Sequence, residues 1–399
     1  MSKGNLIVGQ SGGCTAVINS SLAGVVEAAL SSDQVGEVYG MRHGIEGLLT
    51  SDVIDLRREP RDVWRSIRRT PSAALGSGRY KLRDEEFHTI LEALQRLDVR
   101  YFVYIGGNDS ADTAHRVSLA ARQEGYELYA VSVPKTIDND LPHTDHCPGY
   151  GSIARFVSTV TQEIGLDTEA MRRVDPVKIL EVMGRDAGWV AASAALGRRR
   201  ESDAPHLIYV PERPFSREGF LRDVRECYET HGYVVAVVTE TVRDESGESV
   251  ARTDPVFSQD SFGHRYLTGA ASYLCDLVAR ELGLRARFDK PGTIQRMSMA
   301  MASPVDLDEA YTVGRHAAVS ALAGEDDRMV GIERVSNSPY VSRPGLVELT
   351  SVANQQKLLP EEYLDPGRAH VSPAFIEYAL PLIGGEATTF PRLHGFPVG

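Results

Sequence analysis

The sequence predicts an α/β protein with two domains, each built on a mostly parallel sheet. Short runs rich in valine and isoleucine alternate with longer amphipathic stretches, which is the pattern of β-α-β units. The chain has 399 residues, which is long for one compact core and comfortable for two. Because the β-α-β pattern occurs in two successive series, we expect the second series to form a sheet of its own.

The two series place the predicted elements along the chain. The first predicts buried strands Asn5–Val8, Val99–Ile105 and Leu128–Val133, with helices from about Thr15 to Ala29 and from Ser110 to about Gln123. The second predicts a helix from about Gly151 to Gly165, strand Val177–Met183, helix Ala187–Leu196, strand His206–Val210, a helix around Phe215–Thr230 and strand Tyr233–Thr239. No repeat of short period accompanies this alternation.

Composition and charge argue against several classes of protein. The chain has 43 Lys and Arg and 55 Asp and Glu, and the formal charge of −12 disfavours general attraction to nucleic acid or an anionic membrane. No apolar run approaches the roughly 18 residues that span a bilayer, and the first residues lack the features of a signal peptide. The four cysteines lie far apart in sequence, so they predict neither a metal pair nor a disulfide framework and favour a reducing, cytoplasmic compartment.

Three loops after the first-series strands carry the residue types of a ligand site, and ligands of open α/β sheets bind beyond the carboxyl ends of strands. The first loop contains Gly12 and Gly13 ahead of a helix and suits phosphate, although a tight strand-to-helix turn has the same composition. The second loop begins with Gly106 and Gly107. The third, residues 134–140, crowds a lysine, a threonine, an asparagine and two aspartates beyond a buried strand. It indicates a metal or a reacting group or, alternatively, a solvated loop.

Arg79 is the arginine best suited to phosphate. Seven arginines lie between residues 57 and 79 of this acidic chain, and most are expected to be exposed ion-pair partners. Arg79 follows the glycine-rich stretch Leu75-Gly76-Ser77-Gly78, where the backbone can approach a ligand closely. Its guanidinium can then contact two phosphate oxygens at once.

Together these residues resemble the 6-phosphofructokinases. The motifs follow that family's order from about Asn5 to Leu322, and the stretch PKTIDND at 134–140, followed by Met183-Gly184-Arg185, is highly specific. The ending from Leu359 to Ile383 is similar to the tail of the longer, diphosphate-dependent members. The resemblance implies two Rossmann-like three-layer α/β domains with the active site in the cleft between them. A diphosphate domain would comprise residues 1–147 and about 295–350, and a sugar-phosphate domain would comprise 148–294 and about 351–399.

The resemblance also implies a reaction, the reversible transfer of a phosphoryl group from diphosphate to the 1-hydroxyl of fructose 6-phosphate with Mg²⁺. Asp138 would be the base that takes the hydroxyl proton, Thr136 would support the reacting groups, and Asp140 would hold the base or the surroundings of the acceptor. The residues expected to bind diphosphate and neutralise its charge are Gly12, Gly13, Arg79, Gly107 and Lys135.

The sugar phosphate is expected to lie across the cleft, against the second domain. By resemblance, its binding residues would be Thr136, Asp138, Met183, Gly184, Arg185, Glu240, Arg287 and Arg296. In this family one arginine of this site commonly comes from a neighbouring subunit, so the resemblance implies a homodimer or homotetramer in which Arg287 crosses. Thr293 stands where the family often has histidine, so sedoheptulose 7-phosphate is an alternative acceptor.

Two positions bear on the choice of phosphoryl donor. ATP-dependent relatives typically have glycine where this chain has Asp109 and Lys135. A carboxylate at Asp109 would exclude the α-phosphate of a nucleotide by size and charge, while Lys135 would supply an ammonium to diphosphate. Diphosphate is therefore the expected donor, and ATP is the alternative.

Two departures from the family pattern lie beside these positions. The family's usual aspartate is Asn108 here, so Mg²⁺ would be bound by Asn108 or Asp109, or mainly by diphosphate. Cys14 stands where the long members commonly have proline, either as an oxidation-sensitive thiol or as an inert small residue. Outside enzymes, the alternatives are a silent regulatory subunit, which the presence of Asp138 disfavours, and a nucleotide sensor without turnover, which Asp109 disfavours.

Overall fold

The computed structural model describes residues 3–250, 252–253 and 267–393. Its strands are β1 (Gly4–Gln10), β2 (Val35–Met41), β3 (Val53–Asp55), β4 (Val99–Gly106), β5 (Tyr129–Pro134), β6 (Val177–Val182), β7 (Leu207–Tyr209), β8 (Val234–Thr239), β9 (Arg252–Thr253), β10 (Leu267–Thr268), β11 (Ala286–Asp289), β12 (Arg328–Asn337) and β13 (Tyr340–Glu348).

Helices connect most of these strands. The α-helices are α1 (Ile18–Leu30), α2 (Glu46–Leu49), α3 (Arg61–Ile67), α4 (Phe87–Arg96), α5 (Asn108–Gln123), α6 (Tyr150–Met171), α7 (Trp189–Ala192), α8 (Arg217–His231), α9 (Ala270–Leu282), α10 (Ile294–Met297), α11 (Pro304–Leu322) and α12 (Pro373–Ala379). Short 3-10 helices lie at Leu56–Arg58, Asp84–Glu86, Ser193–Gly197, Met299–Met301, Leu349–Ser351, Glu361–Tyr363 and Leu380–Ile383.

The strands form two main sheets. The first has seven strands in the order β13-β12-β5-β4-β1-β2-β3, and its five central strands are parallel while the edge strands β3 and β13 are antiparallel. The second has four parallel strands in the order β11-β6-β8-β7. A two-stranded antiparallel ribbon joins β9 and β10. The predicted fold class, with two mostly parallel sheets, is confirmed.

Each main sheet has an apolar core on both faces, as expected when helices cover a parallel sheet. β8 is buried along its whole length, and β1 and β4 are buried at all but one position each. The chain leaves the first sheet after β13 and returns to the second half of the molecule, where Phe375 and Leu382 pack in one core with Trp189. The C-terminal segment thus stabilises the half of the molecule that contains the second sheet.

Several boundaries differ from the predicted elements. α6 continues to Met171, beyond the expected end near Gly165, and the predicted helix Ala187–Leu196 is α-helical only over α7 before it tightens into the 3-10 helix Ser193–Gly197. Residues 187–196 are buried throughout, so packing on all sides, rather than helix propensity, sets the local geometry. Within the described ranges, no helix is both long and apolar enough to cross a membrane.

Candidate active site

The candidate site lies where five strands of the two sheets end. β5, β4 and β1 are neighbours in the first sheet, so the loops that follow them meet at one edge. Backbone hydrogen bonds hold these loops together: the Lys135 N–H donates to the Gly106 carbonyl at 2.9 Å, and the Gly12 N–H donates at 3.0 Å to the carbonyl of Gly78, in the stretch that leads to Arg79. From the second sheet, the turn after β6 and Glu240 after β8 close the other side.

These loops surround a small cleft with a cavity of about 160 Å³. All of the predicted site residues except Asp140 and Arg287 line it. The lining residues are Gly12, Gly13, Cys14, Arg79, Gly107, Asn108, Asp109, Ser110, Lys135, Thr136, Ile137, Asp138, Met183, Gly184, Arg185, Glu240 and Arg296.

The glycine loop after β1 is approached closely by three cationic side chains. Gly12 has φ +76°, and a Cβ at that position would lie 2.9 Å from the Lys135 ammonium. A Cβ at Gly13 would lie 2.8 Å from the Arg296 guanidinium and 3.8 Å from that of Arg79. Glycine is therefore required at Gly12 for its backbone conformation and at Gly13 for the space that Arg296 occupies. The result is a concave, positively charged surface that suits a multiply charged anion.

Lys135 contributes a buried ammonium to this positively charged surface. Burial lowers the pKa of its ammonium to about 8, and the nearby Arg296 and Arg79 act in the same direction, while Cys14 and Asp138 oppose the shift. An anion bound among these cations would stabilise the protonated form of Lys135. The same crowding acts on Arg296, whose pKa is lowered by burial and by Arg79.

The loop after β5 holds two carboxylates in a fixed arrangement. Thr136 donates its hydroxyl to Asp140 Oδ1 at 3.0 Å and accepts the backbone N–H of Asp138 at 3.0 Å. Asp138 Oδ1 is buried at the cleft and has no hydrogen-bond partner among the described residues. Burial raises the pKa of Asp138, Asp140 adds to the rise, and Arg185 opposes it. A carboxylate with a raised pKa and a free lone pair is suited to accept a proton.

The turn after β6 forms the opposite wall. Gly184 has φ +141°, and its carbonyl accepts the Thr241 hydroxyl at 3.0 Å. The Met183 N–H donates to the side-chain oxygen of Gln295 at 3.1 Å. Burial raises the pKa of Glu240, with Lys290 acting against it. These contacts fix the positions of polar groups suited to donate hydrogen bonds to a sugar and to accept hydrogen bonds from it.

Two predicted residues lie outside the cleft. Asp140 stands behind Thr136, as its hydrogen bond requires. Arg287 lies on β11 with a side chain 54% exposed, and its guanidinium is 2.9 Å from the carboxylate of Asp175. Within one chain Arg287 therefore does not reach the cleft, and its contribution to a neighbouring subunit stays a prediction.

The metal-binding capacity of the site is small. Within the part of the chain that the structure describes, no group of three or more His, Cys, Asp or Glu side chains could enclose an ion. Asn108 accepts the Asn354 N–H at 2.6 Å and donates its amide to the Gln355 carbonyl, whereas Asp109 lines the cleft. This set fits a Mg²⁺ ion held chiefly by phosphate oxygens and water.

The roles of several residues that support the site were not predicted from sequence. Ser77 donates to the Gly12 carbonyl at 2.6 Å, and buried Asn139, with φ +54°, donates to the Tyr378 hydroxyl at 2.9 Å. Gln295 directly precedes Arg296, which was predicted to bind the sugar phosphate, but the contact of Gln295 with Met183 spans 112 residues. Asn139 is one of the polar residues of the stretch 134–140, but its supporting role was not predicted, because its partner Tyr378 gives no local signal.

Comparison with known proteins agrees with this geometry. The phosphofructokinase family model matches residues 5–321. A pyrophosphate–fructose 6-phosphate 1-phosphotransferase from Halomonas elongata is 41% identical over 393 residues, covering 97% of this chain and 93% of that protein. A sulfofructose kinase from Alkalicoccus urumqiensis is 34% identical over 91% of this chain and 92% of that protein.

The solved structures give the same result. The crystal structure of a pyrophosphate-dependent phosphofructokinase from Marinobacter aquaeolei superposes with a TM-score of 0.87 at 39% identity, covering 99% of this chain and 95% of that one. The resemblance noted in the sequence is thereby confirmed. The fold, the motifs and the relatives of this chain together place it in the phosphofructokinase family.

Proposed function

We propose that this protein is a diphosphate-dependent 6-phosphofructokinase that converts fructose 6-phosphate and diphosphate to fructose 1,6-bisphosphate and phosphate, reversibly. The observation that carries the proposal is the juxtaposition of Lys135, Arg79 and Arg296 over the Gly12-Gly13 loop with the buried carboxylate of Asp138 in the same cleft. The names of the relatives at about 40% identity support the same reaction.

The chemistry follows from the positions of these groups. The 1-hydroxyl oxygen of the sugar attacks a phosphorus of diphosphate, its proton passes to Asp138, and the bond to the bridging oxygen breaks to release phosphate. Lys135 and Arg79 neutralise the oxygens of the donor, and Gly12, Gly13 and Gly107 give it access to the backbone. Thr136 and Asp140 fix the geometry of the loop that contains the base.

The sugar phosphate would be bound by the opposite wall of the cleft. Met183, Gly184 and Arg185 would contact the sugar, and Glu240 would accept hydrogen bonds from its hydroxyls. Arg296 lies beside Gly13, so it would stand between the donor and the acceptor. Arg287 would be supplied by a second subunit, in a homodimer or homotetramer.

Mg²⁺ would be the metal of the reaction, and Asp109 would be its protein ligand, because the side-chain oxygen of Asn108 is already bonded to Asn354. When bound, Mg²⁺ neutralises charge on the donor oxygens. The four free cysteines fit a cytoplasmic location. The division into residues 1–147 with about 295–350, and 148–294 with about 351–399, is part of this proposal.

Donor choice is assigned to Asp109 and Lys135. The test is fructose 1,6-bisphosphate formation by the purified protein with Mg²⁺ and either diphosphate or ATP. Activity with diphosphate alone supports the proposal. Activity with ATP alone would show that these residues do not select the donor, and absence of activity with both would favour a regulatory subunit or another acceptor.

A double variant tests the donor assignment directly. We expect Asp109→Gly with Lys135→Gly to weaken diphosphate use, because the ammonium and the proposed Mg²⁺ ligand are removed, and to relieve the exclusion of ATP, because the carboxylate is removed. The measurement is kcat/KM for each donor at fixed Mg²⁺. Unchanged diphosphate kinetics would contradict the assignment.

The identity of the phosphoryl acceptor is the second point to test. A sulfofructose kinase is among the relatives, and Thr293 begins the turn that leads to Arg296, so the group at the sugar's 6-position is where acceptors could differ. The assay should therefore compare fructose 6-phosphate, sedoheptulose 7-phosphate and sulfofructose at equal concentrations. A clear preference for either alternative would change the acceptor and leave the donor assignment intact.

A further inference from the structure

The segment of residues 354–359 contacts two loops of the first sheet, those after β4 and β5, and is joined through Glu212 to the turn after β6. It first contacts the residue that follows the Gly106-Gly107 turn after β4: the Asn354 N–H donates to Asn108 Oδ1 at 2.6 Å, and the Asn108 amide donates to the Gln355 carbonyl. Asn354 also donates its side-chain amide to Asp112 of α5 at 3.0 Å. The segment is thus bonded to the first turns of the helix that follows β4.

Lys357 joins the same segment to the loop that contains the base. Its N–H donates to the Asp140 carbonyl at 2.7 Å. Its ammonium donates to the carbonyls of Thr144 and Asp145 at 3.0 and 2.9 Å. The backbone of Lys357 therefore holds the end of the motif 134–140, and its side chain holds the turn beyond it.

The segment also reaches the wall formed by the second sheet. Trp189 donates its indole N–H to the Lys357 carbonyl at 3.2 Å, and the ammonium lies 5.2 Å from the centre of the Trp189 ring. The N–H groups of Leu359 and Gly188 both donate to the same oxygen of Glu212 at 2.8 Å. Gly188 lies three residues beyond Arg185, so this contact fixes the far end of the turn that follows β6.

The positive charge of Lys357 supports the same loop as its hydrogen bonds, because it stabilises the carboxylate of Asp140. Burial raises the pKa of Asp140, while Thr136, Lys357 and Lys135 lower it. Burial also lowers the pKa of Lys357 itself. A cation at this position favours the ionised form of the carboxylate that supports the base.

We propose that Lys357 is a positioning residue for phosphoryl transfer, and that residues 354–359 hold the loops after β4 and β5 and the turn after β6 in their reactive arrangement. This inference rests on the proposed function, since it concerns the geometry of that same site. Lys357 does not line the cleft and acts through Asp140 and the loop that contains Asp138. Its loss is expected to impair the chemical step more than substrate binding, because small displacements of reacting groups are costly.

The test compares Lys357→Met with Gln356→Ala, a matched control on an exposed neighbour in the same segment. We expect kcat of Lys357→Met to fall by about 10- to 100-fold with KM for both substrates within about threefold, and Gln356→Ala to behave as wild type. Hydrogen exchange of backbone amides, measured in parallel, should accelerate in residues 136–145 and 186–192 of Lys357→Met alone.

Other outcomes have distinct meanings. Unchanged kcat, a loss confined to KM, or exchange equal to that of the control would overturn the proposal. If Lys357→Met does not fold, Lys357→Gln, whose amide can still donate to one carbonyl, is judged by the same criteria. A wild-type protein without turnover would refute the proposed function, and hydrogen exchange alone would then decide whether the segment holds the loops.

Discussion

Asp138 shows how one residue combines opposing requirements. Its carboxylate must be ionised to take a proton, yet its burial beside Asp140 disfavours the charge and leaves Oδ1 without a partner among the described residues. Such conflicts between stability and chemistry are typical of active sites. The buried cation Lys135 presents the same conflict with opposite sign.

For Asp138→Asn we expect turnover to be nearly abolished and stability at neutral pH to increase. Because the pKa of Asp138 is raised by folding, the ionised group destabilises the folded state, and this cost grows as pH rises through its folded pKa. The melting temperatures of variant and wild type should therefore be similar near pH 4 and diverge by pH 8. In the wild type, activity should fall as pH decreases through the same pKa. A variant with substantial turnover would refute the role of Asp138.

Gly12 offers a second test at this scale. We expect Gly12→Ala to lose about 1–3 kcal/mol of stability from backbone strain and to raise KM for diphosphate, since the added methyl group would displace Lys135. Gly125→Ala is the matched control, because Gly125 has φ +64° with no atom within 4 Å of the added Cβ. Urea unfolding and donor kinetics of the two variants separate strain from displacement. Equal KM values in both variants would argue against close contact between Lys135 and diphosphate.

At the scale of elements, the loop after β5 is anchored by distant parts of the chain. His146 is buried between Asp145 and Glu309 of α11, with a distance of 2.7 Å to each carboxylate. Arg334 of β12 contacts Asp145 at 2.8 Å and donates to the Tyr378 carbonyl at 2.9 Å. A network of ion pairs thus connects the catalytic loop to a helix and to a strand of the first sheet, and a hydrogen bond extends it to the C-terminal helix α12.

We expect His146→Asn to lower the melting temperature by several degrees in a pH-dependent manner. Burial alone would lower the pKa of His146, but Glu309 and Asp145 outweigh it and raise the pKa to about 9. The charged histidine therefore contributes stability that is fully present below pH 6.5 and is lost as pH rises through about 9. Thermal unfolding between pH 6 and 10 should show the difference from wild type shrinking across that window. A constant difference would mean that His146 acts by packing alone.

At the scale of the whole molecule, neither sheet forms the site by itself. Loops of the first sheet supply the glycines, Lys135 and Asp138, while the second supplies the turn at Met183–Arg185 and Glu240. Arg287 is left at the exposed edge strand β11, paired with Asp175. If it completes the site of a neighbouring subunit, the functional unit is larger than one chain.

Mixing two inactive proteins tests this arrangement. We expect Asp138→Asn and Arg287→Ala to be strongly impaired separately, and a refolded mixture to regain activity. A hybrid dimer then has one site with an intact Asp138 from one chain and an intact Arg287 from the other. Turnover per mole of hybrid, relative to the two parents, is the measurement. No regain in a hybrid of verified composition would indicate that Arg287 does not cross between subunits.

The sequence by itself determined the fold class, the family and most of the cleft, because those features depend on short-range patterns. Alternating apolar runs define strands and helices locally, and the stretch PKTIDND and the glycine loop each lie within a few residues. Tertiary structure alone decided which distant groups support them. Lys357 meets Asp140 across more than 200 residues, Tyr378 meets Asn139, and Arg287 points away from its own cleft. Such contacts arise when segments that are remote in sequence pack together. This packing leaves no periodicity or characteristic spacing in the sequence, so the contacts cannot be predicted from it.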